Sequence, residues 1–318
     1  MMREIIEKKY SVVEIKGVNE MSVANPKGFV ERSEEFYNDQ VRRAAQLINQ
    51  SRKDYKFVLL CGPSASGKTT TAHKLKHRLV DLGMGAQVMS MDNFFRGMVH
   101  YPKLKDGSPD MESVEALDMD LLNDCFDELM ETGGSVFPVF DFGKQKQLLR
   151  QQDIRLGEGD ILIMEGIHAL NPDVLKRVPR EKVFRIYVSV RTKFVNGEDT
   201  ILVPKDIRLI RRMVRDYNFR NYPPVHTLKY WQHVVESEKI NIDLYRDDVE
   251  LKMDNTIDYE VCVWHGMLHS LMETIDLRDF EEFPQLEKVF HGLAHFAELS
   301  PGLIPKNSLL REFLGDDV

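Results

Sequence analysis

Gly62-Pro-Ser-Ala-Ser-Gly-Lys-Thr69, directly behind the apolar run Phe57-Val-Leu-Leu-Cys61, decides how the rest of this 318-residue chain is read. The stretch fits G-x-x-x-x-G-K-[ST], the phosphate-binding loop. Gly62 and Gly67 permit backbone turns that other residues resist. Successive N–H groups can then point inward and cradle phosphate oxygens. The phosphates are therefore expected on Gly62, Pro63, Ser64, Ala65, Ser66, Gly67, Lys68, Thr69 and Thr70. Lys68 can reach the β- and γ-phosphates, and the Thr69 hydroxyl can ligate Mg²⁺. A helix starting near Lys68 would aim its positive dipole end at the same anion.

The motif needs a buried strand before it and a helix after it. Phe57–Cys61 supplies the first. Thr70–Val80 supplies the second, with Ala72, Leu75 and Leu79 at helical spacing. The chain is long for one domain, so one large domain with appendages, or two domains, is expected. A hydrophobic content of 42% is enough for a sizeable core. The net charge of −8 makes the chain as a whole a poor electrostatic match for nucleic acid. Cys61, Cys125 and Cys262 are odd in number and far apart, so neither a disulfide framework nor a zinc motif follows. Cys61, in its apolar run, reads as inert packing. Met1–Lys9 is charged and lacks the apolar stretch of a signal peptide. No run approaches membrane-spanning length. The expectation is a soluble cytoplasmic protein with no membrane partner.

Strand and helix signals alternate along the chain. Tyr10–Lys16 reads as a strand. Lys27 to Arg52 reads as a charged amphipathic helix, with Phe36, Val41, Ala44, Leu47 and Ile48 inward. Strands are then expected at Phe57–Cys61, Ala86–Ser90, Ser135–Val139, Asp160–Met164, Lys182–Ser189 and Val249–Met253. Helices are expected at Lys68–Leu82, Asp118–Glu131, Lys205–Tyr217 and Leu228–Leu244. Gln147–Leu156 reads as a small polar hairpin, and the chain after Tyr259 as mostly helical. Such alternation predicts an α/β fold, a parallel sheet with helices on both faces. Ligands then sit at the carboxyl ends of the strands.

Three further clusters bear on the chemistry. Ser90-Met-Asp-Asn-Phe-Phe-Arg96 closes the second core strand and puts Asp92 at the carboxyl edge. A carboxylate there can take the proton of an attacking hydroxyl; a helix cap or turn is the other reading. Ile161-Leu-Ile-Met-Glu-Gly166 sets Glu165 at a strand end, where an acid can bind Mg²⁺ directly or through water. In Asp206–Arg220, Arg208, Arg212 and Arg215 share a helix face, flanked by Arg211 and Arg220. Grouped guanidinium ions suit phosphate oxygens and developing negative charge. A solvated charged helix with pairs such as Asp216 to Arg212 is equally open on spacing alone.

In this order the motifs GPSASGKT, SMDNFFR, PVFDF (Pro138–Phe142), IMEGI and the Arg-rich segment resemble the uridine kinase and phosphoribulokinase family of phosphate-loop kinases, over about Phe57 to Tyr259. The chain looks most like a bacterial uridine kinase-like nucleoside kinase subgroup. There the kinase domain follows a longer N-terminal region and ends in a tail like Asn307–Leu314. The resemblance implies ATP and Mg²⁺ as cofactors and a small-molecule alcohol, a nucleoside, as acceptor. It implies phosphate and metal roles for Lys68 and Thr69, and Asp92 as the base that activates a 5′-hydroxyl. Glu165 becomes the acid near Mg²⁺, and Arg212, Arg215 and Arg220 become lid arginines near phosphate. Glu112, with Asp110 as a near alternative, falls where the family grips the ribose hydroxyls. Three positions depart: Phe140 replaces a pyrimidine-binding Tyr, Gln145 a base-contacting His, and Tyr222 an arginine after the lid.

The expected organisation is a P-loop NTPase-type sheet with a helical C-terminal extension. Residues 1–52 form an N-terminal appendage, 53–275 the kinase domain, and 276–318 the extension packed on it. Phosphate chemistry looks complete and base recognition altered, so a kinase for another small alcohol is the close rival to uridine or cytidine phosphorylation. A non-catalytic nucleotide-binding regulator is the distant one, since it would need neither Asp92 nor Glu165. Homo-oligomerisation is left open. Asp141-Phe-Gly143, without its companion kinase motifs, reads as coincidence. His265 with His269 and His291 with His295 have metal-pair spacing but apolar neighbours that suggest packing. Asp279–Glu282 reads as a solvated turn.

Overall fold

The computed structural model describes residues 11–51, 55–174, 176, 178–220, 222–272 and 284–315. The chain opens with β1 (Ser11–Glu14), α1 (Ile15–Ala24) and α2 (Pro26–Gln50). The expected core follows as β2 (Phe57–Cys61), α3 (Lys68–Asp81), β3 (Ala86–Ser90), α4 (Met119–Thr132), β4 (Gly134–Asp141), β5 (Lys146–Arg155), β6 (Ile161–Gly166) and β7 (Val183–Ser189). Then come β8 (Thr192–Asn196), β9 (Asp199–Leu202), α5 (Pro204–Arg220), α6 (Pro224–Asn241), β10 (Leu251–Asp254), α7 (Glu260–Met272), α8 (Pro284–Leu293) and α9 (Arg311–Leu314).

Five of these strands form one sheet in the order β10-β7-β2-β6-β3, every pair parallel. The strands are apolar on both sides because both sides are covered. Val58 and Leu60 of β2, with Ile161 and Ile163 of β6, face a core built with α2, α3, α5, α7 and α8. Phe57, Leu59 and Cys61, with Leu162 and Met164, face a second core under α4 and the β4–β5 hairpin. Helix starts follow ordinary capping: Asn25 Oδ1 accepts from Gly28 N at 3.0 Å, and Asp118 Oδ1 accepts from Leu121 N at 3.2 Å. α4 stops at Gly133, whose φ of +79° favours glycine.

The expected α/β fold with a helical C-terminal extension is the observed one. Several local expectations are corrected. Of the first predicted strand, Tyr10 lies outside the described residues, Ser11–Glu14 is extended, and the backbone turns helical at Ile15. β1 joins not the main sheet but a small separate one, order β1-β8-β9. Phe36 points outward and is 49% exposed, while Phe29, Tyr37 and Ala45 take the inward positions beside Val41, Ala44 and Ile48; Leu47 is half-buried. Gln147–Leu156 is not a hairpin by itself but one arm of it, as β5 pairs antiparallel with β4. Glu165 lies within β6 rather than beyond it, since Gly166 still pairs with Cys61. Arg52, Met1–Lys9 and Asp279–Glu282 lie outside the described residues.

Residues 308–314 return across the loop after β2. Leu309, Leu310, Phe313 and Leu314 are buried. A Cβ on Gly67 would meet the Leu309 side chain at 2.6 Å, so glycine is required there for packing as well as for its φ of +82°. Ser308 Oγ lies 3.3 Å from the Tyr259 hydroxyl, which donates to Glu34 of α2 at 2.7 Å.

Candidate active site

The register brings three loops to one edge. Leu60 pairs with Glu165, and Glu165 with Ser90, so the loop after β2, the end of β6 and the turn after β3 open side by side. Ala65 and Gly67, at φ +59° and +82°, curl residues 62–67 onto the start of α3. Ser66 between them is not among the positive-φ residues, and backbone that alternates in this way can turn successive N–H groups toward one point, as an anion cradle requires. A Cβ on Gly62 would sit 2.1 Å from Val188 O and 2.7 Å from Ser66 Oγ. Ser66 Oγ is itself buried without a partner. These are features a bound polyphosphate fits. Gly62→Ala is expected to lower the melting temperature, at a cost of about 1–3 kcal/mol from overpacking, and to weaken nucleotide binding with it. Thermal denaturation with and without ATP checks this; an unchanged midpoint and an unchanged ATP-induced shift would refute it.

The side chains around the loop hold it from below. Lys68 Nζ donates to Pro63 O at 3.1 Å, and the Thr69 hydroxyl to Glu165 Oε1 at 3.2 Å. Among the described residues no three His, Cys, Asp or Glu side chains converge as a metal cage. Thr69 and Glu165 would supply two oxygens, the sparse protein set that Mg²⁺ accepts when phosphates complete its shell. Glu165 is buried. Burial, and then the nearby Asp92, push its carboxyl up to about 7, while Lys68 opposes. Asp92 sits in a single 3-10 turn, Met91–Phe94, and is half-buried. Its carboxyl is raised by burial, against Lys68 and Arg220. The cap reading of Asp92 does not hold: the capping oxygen of that turn is Ser90 Oγ.

The arginines of α5 divide in two. Arg208 pairs with Glu238 of α6 at 2.5 and 2.8 Å, and Arg211 with Glu260 of α7 at 2.6 and 2.8 Å. Their remaining N–H groups donate to the loop carbonyls of Ser64, at 3.2 Å, and Ala65, at 3.4 Å. These two are struts under the loop, each committed to a buried carboxylate. Arg212 donates to Ser64 Oγ at 2.9 Å and to Glu112 Oε1 at 3.2 Å. Arg212, Arg215 and Arg220 all lie within 3.5 Å of Asp216, the pairing that spacing left open. Asp216 is thereby held below the usual carboxylate range, although burial opposes.

Glu112 and Asp110 lie together: Asp110 Oδ1 accepts from Glu112 N at 3.0 Å and meets His233 Nε2 at 2.9 Å. Phe140 is buried against Phe95 and Phe142, and its N–H donates to Asn93 one residue from Asp92. Gln145 is not brought in. It sits at φ +50° in the β4–β5 turn and donates to Phe142 O at 2.8 Å. Tyr222 is exposed and stacks on His226, with ring centroids 4.2 Å apart.

Two further residues at the site had no role assigned from the sequence: Asn255, which carried no motif, and Glu312, which lies in the tail Asn307–Leu314. Asn255 Nδ2 donates to Ser66 O and to Thr71 Oγ1, both at 2.9 Å. Glu312 of α9 accepts from the Thr70 N–H at 3.0 Å and from its hydroxyl at 2.8 Å. Only their positions, just beyond a strand end and in the tail, could have drawn notice. The signals set aside are local. Asp141 Oδ1 accepts from Lys144 N in the hairpin turn. His265 Nδ1 lies 2.7 Å from Phe296 O, and His295 Nδ1 lies 2.8 Å from His291 O. The Cys61 thiol is pushed up to about 11 by burial. Among the described residues no helix is long and apolar enough to cross a membrane.

The model of the Phosphoribulokinase / Uridine kinase family matches residues 57–242. The uridine kinase of Mycoplasma genitalium is 25% identical over 225 residues, 68% of this chain and 95% of that protein. That of Ureaplasma urealyticum serovar 10 is 25% identical over 178 residues, 56% of this chain and 77% of its own. Among solved structures, the YGR205w protein is 15% identical with a TM-score of 0.47, covering 71% of this chain and 94% of that one.

Proposed function

Because the chain belongs to the Phosphoribulokinase / Uridine kinase family, we propose that it transfers the γ-phosphate of Mg·ATP to the hydroxyl of a small alcohol, the 5′-hydroxyl of uridine or cytidine in the first instance. The observation that carries this reading is the convergence of the loop at 62–70, Asp92 and Glu165 on one edge of the parallel sheet. Asp92 accepts the proton of the attacking hydroxyl. Lys68 steadies the charge on the transferred group, and Arg212, Arg215 and Arg220 stand where α5 closes over it. Thr69 and Glu165 are the residues that would hold Mg²⁺, which when bound neutralises charge on the phosphate oxygens. Glu112, with Asp110 beside it, holds the acceptor, and excluding water from this cleft limits ATP hydrolysis.

The test is ADP release from Mg·ATP with nucleosides, sugars and sugar phosphates, each against a control without acceptor. Acceleration by uridine or cytidine is the expected result. Acceleration only by another alcohol would keep the mechanism and replace the acceptor. That second reading is favoured by Phe140, which brings no hydroxyl, and by Gln145, which is bonded into its own turn. ATP binding without acceleration by any acceptor would overturn the proposal.

A pH dependence follows. Both carboxyls act as anions, and both are raised, Glu165 to about 7. With Mg²⁺ at Glu165 the anion of that residue is favoured, so Asp92 sets the acid limb: at saturating Mg·ATP, acceptor kcat/KM is expected to fall as pH drops into the raised range of the Asp92 carboxyl and to level off above it. A rate profile without that acid limb would count against this role of Asp92. Folding stability runs the other way. Glu165 binds its proton more tightly folded than unfolded, so without metal the protein loses stability as pH rises from the ordinary carboxyl range through about 7.

A further inference from the structure

At this edge His168 is a buried titratable side chain that the mechanism above does not use. It lies in the turn that follows β6, two residues beyond Gly166, and is 1% exposed. Neither ring nitrogen makes a hydrogen bond. Buried polar groups without partners are costly, about 1–3 kcal/mol each, and rare. The charged side chains facing the ring are Glu112, Asp110 and Lys68. It therefore lies within electrostatic reach of both the acid pair at the acceptor side and the lysine of the phosphate loop, with the Glu112 backbone also facing the ring. Burial pushes the imidazole down to about 4, so it is neutral near pH 7, with one nitrogen donating and the other accepting.

We propose that His168 is an acceptor-binding residue, whose buried ring hydrogen-bonds a hydroxyl of the alcohol substrate beside Glu112. The inference rests on the phosphotransferase reading above and names the acceptor class more narrowly. Glu112 presents carboxylate oxygens, of which Oε1 is already engaged by Arg212 at 3.2 Å. His168 adds a second polar point that both donates and accepts. An acidic acceptor and an adjacent amphoteric group suit a vicinal diol, whose hydroxyls each donate and accept. The acceptor is then a polyol such as a ribose ring, not a simple alcohol. A site built to bond a hydroxyl discriminates strongly against the analogue that lacks it.

Two measurements on the full chain test this. The first leaves the protein unaltered. Histidine-selective ¹⁵N labelling gives the His168 ring signals, assigned by their loss in His168→Gln. Uridine or D-ribose, added with ADP and Mg²⁺, is expected to move them. The second compares uridine with 2′-deoxyuridine and 3′-deoxyuridine in the transfer assay. His168→Leu, which has no donor or acceptor, is expected to raise the uridine KM about tenfold to a hundredfold, leaving the ATP KM unchanged. It should also abolish the wild-type preference for uridine over one of the two deoxy analogues, because side chain and hydroxyl would then be one interaction. His168→Gln, which keeps a donor and an acceptor, should fall between.

Ring signals that stay put with both probes overturn the inference, whether or not transfer occurs. So do equal losses for uridine and both deoxy analogues, which would mark a merely structural histidine. If no acceptor releases ADP yet a diol still moves the ring signals, the phosphotransferase reading fails and the binding role stands.

Discussion

Asp92→Asn is expected to lower phosphoryl transfer about 10²- to 10⁴-fold while ATP binding persists. The amide keeps the shape of the side chain and cannot accept the hydroxyl proton. The turn that carries it is set by other groups, Ser90 Oγ and the end of β3, so the local backbone should not change. Lys68 and Arg220, which face Asp92, would lose an anion rather than gain one, so the nucleotide phosphates are met by undiminished positive charge. The binding constant for ATP, measured by calorimetry, should therefore move little. Turnover near the wild-type rate would remove Asp92 from the chemistry. Loss of ATP binding in step with turnover would make it a structural residue of the phosphate site.

Glu260→Ala is expected to cost about 3–5 kcal/mol of folding stability, a large part of what a protein of this size has. Arg211 and Glu260 are both fully buried and joined by two hydrogen bonds. Glu260 also accepts from Ile257 N at 3.0 Å and Trp264 Nε1 at 3.1 Å, so its loss orphans three donor groups at once. The remaining guanidinium cannot reach water. A fall in melting temperature of roughly 10 °C should result. The paired change Arg211→Met with Glu260→Leu should recover much of that stability, since apolar replacements of buried ion pairs are often neutral. It would still lose the donor to Ala65 O beneath the phosphate loop. A fall of less than about 1 kcal/mol in Glu260→Ala would show that the pair contributes little.

The contrast between Arg211 and Arg212 shows what the sequence could convey. Both stand in one Arg-rich run, and helical periodicity assigns them to different faces. What each does is set by the partner it meets, and those partners are remote: Glu260 is 49 residues away and Glu112 is 100. No local pattern encodes such pairings. The strand, loop and helix at 57–81 are legible because their signals are local: an apolar run, two glycines and a helical apolar stripe. β8 and β9 escaped notice because their four or five residues carry no strong alternation and pair mainly with each other and with β1. Phe36 misled for a simpler reason. An aromatic residue is read as inward by default, yet the stripe of α2 is filled by Phe29, Tyr37 and Ile48.

The contact between Glu312 and Thr70 spans 242 residues of chain. At ribosomal rates of about 5–20 residues per second, roughly ten to fifty seconds separate the synthesis of the loop from that of the carboxylate that caps it. The strand order adds to the delay, because β2 is flanked by β6 and β7, both made later. During elongation the nascent loop is therefore bare on the side that Leu309 and Glu312 later cover.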